Sequence, residues 1–159
     1  ALPICGDLPF SNKTIDIVLS SQVLEHVLEP EKYLAECHRV LKDGGLLILS
    51  THGNWIYHPD PTDFWRWTSA GLKLIIQRAG FDTAHIEGIM GPTATALQLV
   101  QDALLKSVPL FFRSLFTSCM QRIIQFSDLR TSPTASAKDA AVYLVVSRKI
   151  EKSSLKSKI

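Results

Sequence analysis

The stretch TIDIVLSSQVLEHVLEPEKYLAECHRVLKDGGLLILSTHG, residues 14–53, reads as strand, polar corner, helix, tight turn and strand. Ile15, Ile17, Val18 and Leu19, and then Leu46, Leu47, Ile48 and Leu49, are near-continuous apolar runs of strand length. Runs without polar alternation suit parallel strands covered on both faces. Pro30 occupies a first helical position, where a missing N–H costs nothing, and Glu31 favours the positive helix start. Leu34, Cys37, Val40 and Leu41 make one apolar face before Lys42 and Gly44 end the helix. A right-handed crossover between the strands brings Ser20 to Gln22 and Thr51 to Gly53 together at the carboxyl edge. Open α/β sheets bind their ligands at that edge.

Working outward, the pattern predicts a helix over Ser69 to Ala79, with Thr68 as N-cap, Gly80 at its end and Leu72, Leu74, Ile75 and Ile76 inward. Strands are expected at Phe81 to Glu87 and at Ala140 to Ser147, where Val142, Leu144 and Val146 share one face and Tyr143 and Val145 the other. Residues 93–126 carry Leu97, Val100, Leu104, Phe111, Leu115, Cys119, Ile123 and Phe126 at mostly three- or four-residue steps, a helical stripe broken near Pro109. Asp102, Lys106, Arg113 and Arg122 interrupt that run, which argues against a membrane span. The polar stretch SDLRTSPTASAKD after Phe126 reads as a surface loop.

A chain of 159 residues that is 46% hydrophobic and 20% charged can bury a core, and this composition excludes intrinsic disorder. A net charge of only +2 gives no reason to expect a nucleic-acid-binding surface. Lys149, Lys152, Lys156 and Lys158 form a basic end, with residues 151–159 expected to be a flexible, solvated tail. Cys5, Cys37 and Cys119 lack zinc-type or CxxC spacing, and no basic segment with an apolar core opens the chain. A reducing, cytoplasmic setting is the expectation.

Several short pieces of this sequence, in order and spacing, resemble the second half of a class I S-adenosylmethionine-dependent methyltransferase domain of the methyltransferase type 11 family. They are DLPF at Asp7 to Phe10, IDIV at Ile15 to Val18, VLEHV at Val23 to Val27, HRVLKDGG at His38 to Gly45 and LLILSTHG at Leu46 to Gly53. RWTSAGL at Arg66 to Leu72 and AGF at Ala79 to Phe81 continue the match. Each piece is weak alone, and their shared register is what carries the resemblance. It implies a partial Rossmann-like α/β three-layer sandwich over residues 1–150, the second half of a sheet ordered 3-2-1-4-5-7-6 with an antiparallel last strand.

The resemblance also implies S-adenosylmethionine as cofactor and a small-molecule, lipid or sugar as methyl acceptor. The glycine-rich turn and ribose-gripping acid that the family places upstream are not in this sequence, so the chain is expected to be a fragment of a longer parent. Its first strand, Ile15 to Ser20, would then present a bare apolar edge. The 159 residues alone are expected to bind S-adenosylmethionine poorly, an expectation that micromolar binding in calorimetry would refute.

Carried over residue by residue, the resemblance makes Asp7, Leu8, Ser20, Gln22 and His26 the candidate cofactor-binding residues. Asp7 also reads as a turn-forming aspartate, Ser20 and Gln22 as helix-capping groups and His26 as a packed histidine. The segment THGNWIYHPDPTDFWRWT, residues 51–68, has the composition of a site. A histidine titrates near neutrality and can take a proton from an acceptor hydroxyl or amine, so His52, nearest the strand end, and then His58 are the candidate catalytic bases. Trp55, Tyr57, Trp65 and Trp67 equally read as the packed core of a lid, with Asp63 and Arg66 paired near the next helix. His52, His58, Asp60 and Asp63 are metal-ligand types, but their spacing matches no compact motif and no metal is expected.

Residues 93–126 are expected to form a helical cap or core insertion over the acceptor pocket, with membrane-surface contact through VPLFFRSLF as the alternative. Two function classes remain: a methyltransferase, and a degenerate methyltransferase-like module used for binding or assembly. An eroded glycine-rich turn or ribose acid upstream would favour the second.

Overall fold

The computed structural model describes residues 7–59 and 62–150, apart from the side chains of Thr83 and Ala84. Cys5, Asp60 and the basic tail at 151–159 therefore lie outside the described residues. Strand β1 (Ile15–Ser21) is followed by a 3₁₀ turn (Leu24–His26), α1 (Pro30–Val40), β2 (Leu41–His52), α2 (Ser69–Arg78) and β3 (Phe81–Ile89). Then come α3 (Pro92–Leu105), α4 (Leu110–Leu129), α5 (Pro133–Lys138) and β4 (Val142–Lys149).

The strands form one mixed sheet in the order β1-β2-β4-β3. β1 and β2 are parallel, and β4 runs antiparallel between β2 and β3. This is the α/β arrangement with an antiparallel last strand that the resemblance implies. The chain crosses from β1 to β2 through α1, whose apolar stripe Leu34, Cys37 and Val40 is buried completely together with Leu41. With Leu47, Leu49, Leu72, Ile76, Phe81, Tyr143 and Val145 these residues make the main core. Each such aliphatic side chain contributes about 1.5–3 kcal/mol on burial, so the helices stay pinned to the sheet.

Register fixes where the strand ends lie. Ser20 pairs with Leu49 and Ser21 with Ser50, so β2 runs two residues past the end of β1. Beyond His52 the chain must pass close to the start of β4. A Cβ on Gly53 would stand 2.4 Å from the Ala140 carbonyl oxygen and 2.7 Å from the Tyr143 ring, so only glycine fits there.

Several expectations are corrected. Leu74 is 49% exposed, because the face buried in α2 is Leu72, Ile75 and Ile76 at i, i+3 and i+4 and Leu74 points away from it. Lys149 belongs to β4 and is not part of a solvated tail: it is 5% exposed and its Nζ donates to the carbonyls of His38 and Leu41 at 2.7 Å each. It thereby satisfies carbonyls that the end of α1 leaves open. The expected loop after Phe126 is instead the end of α4 and a short helix α5, started by the Ser132 side chain capping Ala135 N–H with Pro133 at the first helical position.

Residues 93–126 are helical and broken at Pro109, as expected. Their apolar stripe, however, is not packed inward among the described residues: Val100, Leu104, Phe111, Leu115, Ile123 and Phe126 are all exposed. α4 buries only Ile124, and α3 buries Ala94, Thr95 and Gln101. Side-chain amides of Gln98, Gln101 and Gln121 bond between the two helices, so the apolar residues face outward. Among the described residues β1 likewise pairs on one side only, and Ile17 and Leu19 on it are 54% and 71% exposed. No helix among the described residues is long and apolar enough to cross a membrane.

Candidate active site

The carboxyl edge of β1 and β2 is a corner whose backbone is held by serines. Gln22 leaves β1 with a left-handed φ of 52°, its N–H donating to the Ser50 carbonyl at 3.0 Å and its Nε2 to Ser50 Oγ at 3.2 Å. Its Oε1 is buried and accepts no hydrogen bond among the described residues. A non-glycine residue held in this region beside an unmet buried acceptor is the kind of local cost found at functional sites. The neighbouring Ser20 hydroxyl is buried and accepts from Tyr33 OH at 2.8 Å, which ties β1 to α1. Burial pushes the Tyr33 hydroxyl up to about 12, so it stays a neutral donor.

Next, the 3₁₀ turn drops Glu25 into the interior between Leu24 and Val27, with no exposed surface. Thr51 Oγ1 donates to its Oε2 at 2.9 Å and His52 Nδ1 donates to its Oε1 at 2.8 Å. Burial by itself would raise the Glu25 carboxyl, but bonds from His52, from its own backbone and from Thr51 together hold it below the ordinary glutamate value. Glu25 is thus a buried carboxylate. It fixes the His52 tautomer, since Nδ1 carries the proton and leaves the lone pair of the neutral ring on Nε2. Sequence reasoning singled out the two histidines and missed Glu25. The available signal was a charged residue inside the apolar run Val23 to Val27, which must find partners if it is buried.

Loop 53–68 folds back over this corner. The backbone N–H groups of Phe64 and Trp65 donate to the Glu25 carbonyl, Trp65 Nε1 donates to the Val27 carbonyl at 2.7 Å, and Trp67 N–H donates to the His52 carbonyl. Inside the loop, Arg66 clasps the carboxylate of Asp63 and donates to the carbonyls of Trp55 and Ile56. The Arg66 guanidinium holds the Asp63 carboxyl down to about 2 despite its burial. The pairing of Asp63 and Arg66 weighed from the sequence is the loop's keystone. The rim of the loop leaves an open depression of about 250 Å³ lined by Trp55, Tyr57, Phe64 and Trp65 together with the Asp63–Arg66 pair.

Three imidazoles meet here. The His52 ring stacks on Trp55 at 6.0 Å and meets the His58 ring edge-on at 4.8 Å; the His26 ring lies 5.0 Å from His58. His26 Nδ1 donates to the Thr62 carbonyl at 2.7 Å, which groups this residue with the loop. The His58 backbone N–H donates to Asp63 Oδ2 at 3.0 Å. Its ring Nδ1 lies 3.2 Å from the same oxygen but off the line a hydrogen bond needs, so that buried nitrogen has no hydrogen-bond partner.

The structure therefore brings together His52, His58 and His26 with Glu25, and places Ser20 and Gln22 on the adjoining strand end. Asp7 and Leu8 lie elsewhere, along α1: Leu8 N–H donates to Glu36, its carbonyl accepts from Arg39, and Asp7 acts on the Arg39 charge. Of the four loop residues weighed as metal ligands, Asp63 is committed to Arg66 and Asp60 lies outside the described residues.

The methyltransferase domain family matches residues 4–49. A probable S-adenosylmethionine-dependent methyltransferase of Mycolicibacterium smegmatis is 28% identical over 90 residues, covering 53% of this chain and 35% of that protein. The ubiquinone biosynthesis O-methyltransferase of Cereibacter sphaeroides is 31% identical over 101 residues, covering 53% of this chain and 41% of that protein. Among solved structures, an S-adenosylmethionine-dependent methyltransferase from Mesorhizobium loti superposes with a TM-score of 0.55 at 16% identity, covering 92% of this chain and 66% of that one. These matches span less than half the length of both curated relatives.

Proposed function

We propose that the chain is part of a class I S-adenosylmethionine-dependent methyltransferase, a reading that its family match and relatives support, and that the full-length protein moves a methyl group from S-adenosylmethionine to a hydroxyl or amine of a small-molecule, lipid or sugar acceptor. The observation that carries this reading is the Glu25–His52 hydrogen bond of 2.8 Å at the carboxyl edge of β2. A buried carboxylate that orients an imidazole and offsets the charge it acquires is a recurrent way to make a general base. His52 Nε2 takes the proton that the acceptor loses as its oxygen or nitrogen gains the methyl group. His58 supports the His52 ring edge-on.

When bound, the cofactor supplies a methyl group on a positively charged sulfur. The strand-end corner suits it on one count: Gln22 Oε1 is a buried acceptor without a partner among the described residues, suited to an amino group of the ligand. Gln22 and the backbone after Ser20 would line the cofactor. The aromatic depression in loop 53–68 would take an acceptor with a flat apolar part.

The competing reading, a catalytically silent binding or assembly module, draws support from the exposed apolar faces of β1 and α4. Release of S-adenosylhomocysteine by the full-length protein, offered pooled phenols, sugars and lipids, separates the two. With His52 as base, His52→Gln lowers the rate about 10²- to 10⁴-fold while calorimetric binding of S-adenosylmethionine persists. An unchanged rate removes His52 from the mechanism, and no turnover with any acceptor favours the silent module.

A further inference from the structure

Glu25 and His26 come from the turn after β1 and His58 from the loop after β2, yet one ligand-type atom from each lies within 4.8 Å of the others. We propose that Glu25, His26 and His58 bind one divalent transition-metal ion. One carboxylate and two imidazoles form the donor set that proteins use for zinc, and for iron in open sites; it is too rich in nitrogen for calcium or magnesium.

The surroundings prepare each ligand. His26 Nδ1 faces the Thr62 carbonyl, a group that only accepts, so that nitrogen carries the proton and Nε2 keeps a lone pair. A ligating histidine anchored through its other nitrogen to a carbonyl or carboxylate is the usual outer-shell pattern of metal sites. Glu25 receives Thr51 on one oxygen, His52 on the other and a bond from its own backbone, and of the roughly four lone-pair sites of an ionised carboxylate one is left for a further ligand. His58 holds a buried ring nitrogen 3.2 Å from Asp63 Oδ2 without the alignment of a hydrogen bond. A small rotation of that ring would seat Nδ1–H on Asp63 and turn Nε2 toward the other two ligands.

That same rotation closes the site. Zinc at about 2.0–2.2 Å from each ligand needs neighbouring ligand atoms about 3.4 Å apart. The 4.8 Å spread therefore has to contract by roughly 1.4 Å, which is within reach of one side chain on a loop. Charge also fits: Asp63 is neutralised by Arg66, so Glu25 gives the ligand set a single negative charge. Three protein ligands leave at least one coordination position open. Its use there, to hold and polarise an acceptor oxygen beside His52, rests on the methyl-transfer reading, whereas binding of the ion does not.

Glu25 and His26 lie on a different segment from His58, so ligand spacing along the sequence does not reveal this set. The test is a zinc titration of the full-length protein after chelation and dialysis, in competition with a chromophoric chelator and with neither S-adenosylmethionine nor acceptor present. We expect one equivalent of zinc per chain, with affinity lowered at least tenfold by His26→Ala and by His58→Ala. Glu25→Gln, which keeps the side-chain shape and one of the two acceptor oxygens while removing the charge, should do the same with the far-ultraviolet circular dichroism unchanged. His85→Ala, a remote and exposed histidine, should change nothing. Absence of stoichiometric zinc overturns the proposal, as does undiminished affinity in folded His26→Ala and His58→Ala variants. Either result can occur with methyl transfer intact, and loss of methyl transfer can occur with zinc bound, so the two readings fail separately.

Discussion

The site corner and the α3–α4 hairpin are both rich in large apolar side chains, and they treat them in opposite ways. In the corner, polar groups do the anchoring. Trp65 is held by its indole N–H on the Val27 carbonyl, and the loop around it closes on the Asp63–Arg66 pair. In the hairpin, the polar groups face one another between the helices, and Leu110, Phe111 and Leu129 are left 80%, 89% and 81% exposed. Ile56, Tyr57, Phe64 and Trp65 of the corner are also partly open to solvent, at 40–67% exposure; what separates the two regions is whether a segment's hydrogen-bonding groups fasten it to the sheet edge or to a neighbouring helix.

The largest expected effect tests the corner's keystone. Arg66→Met leaves the Asp63 carboxylate, 1% exposed, without its cation. Breaking a buried pair from one side costs about 3–5 kcal/mol, so urea denaturation should show a loss of that size and the tryptophan near-ultraviolet signal should weaken. The corresponding change in the hairpin, Arg113→Met, removes contacts to the carbonyls of Val108 and Lys106 and should cost under about 1 kcal/mol. Equal losses at the two sites would erase the contrast.

The same pair has a pH signature. Arg66 holds Asp63 at about 2, below its unfolded value of about 3.9. A depressed carboxyl binds fewer protons folded than unfolded, so its contribution is complete above about pH 4 and is lost as the pH falls through 2. Urea midpoints of the parent protein should drop between pH 5 and pH 2.5, and Arg66→Met should flatten that part of the drop.

A smaller effect is expected deeper in the corner. Thr51→Val keeps the shape of a fully buried residue but removes one donor to Glu25. A hydrogen bond to a charged group is worth about 1.5–3 kcal/mol, and that is the predicted fall in unfolding free energy. A neutral outcome would mean that His52 alone satisfies the carboxylate.

These sites also show where sequence reading reaches its limit. The two apolar runs, the capped helix at Thr68 and the break at Pro109 were legible because each rests on a local rule of periodicity, capping or proline geometry. The resemblance supplied the strand order, which no local rule contains. Leu74 was misread because a cluster of apolar letters was taken as a face, whereas a helix turns 100° per residue. Lys149 was misread because a lysine near a chain end looks solvated, and its two carbonyl partners sit more than a hundred residues earlier. In the site, His52 and His58 stood out by type and position. Glu25 did not, because its importance comes from the register of β1 against β2, which sets Thr51 and His52 beside it.

The smallest stability effect is the sharpest test of the hairpin. Leu110 and Phe111 touch little, so replacing both with serine should change the unfolding free energy by no more than about 0.5 kcal/mol each. At buried Phe81 or Leu49 a change to alanine should cost about 2–5 kcal/mol. An apolar face of this kind has a cost in water that self-association relieves, so the serine variant should sediment as a smaller species than the parent at matched concentration. If the serine variant instead loses several kcal/mol with its sedimentation unchanged, the hairpin stripe is packed within the folded chain. The contrast between the two regions would then be one of degree, with both anchored against the same sheet.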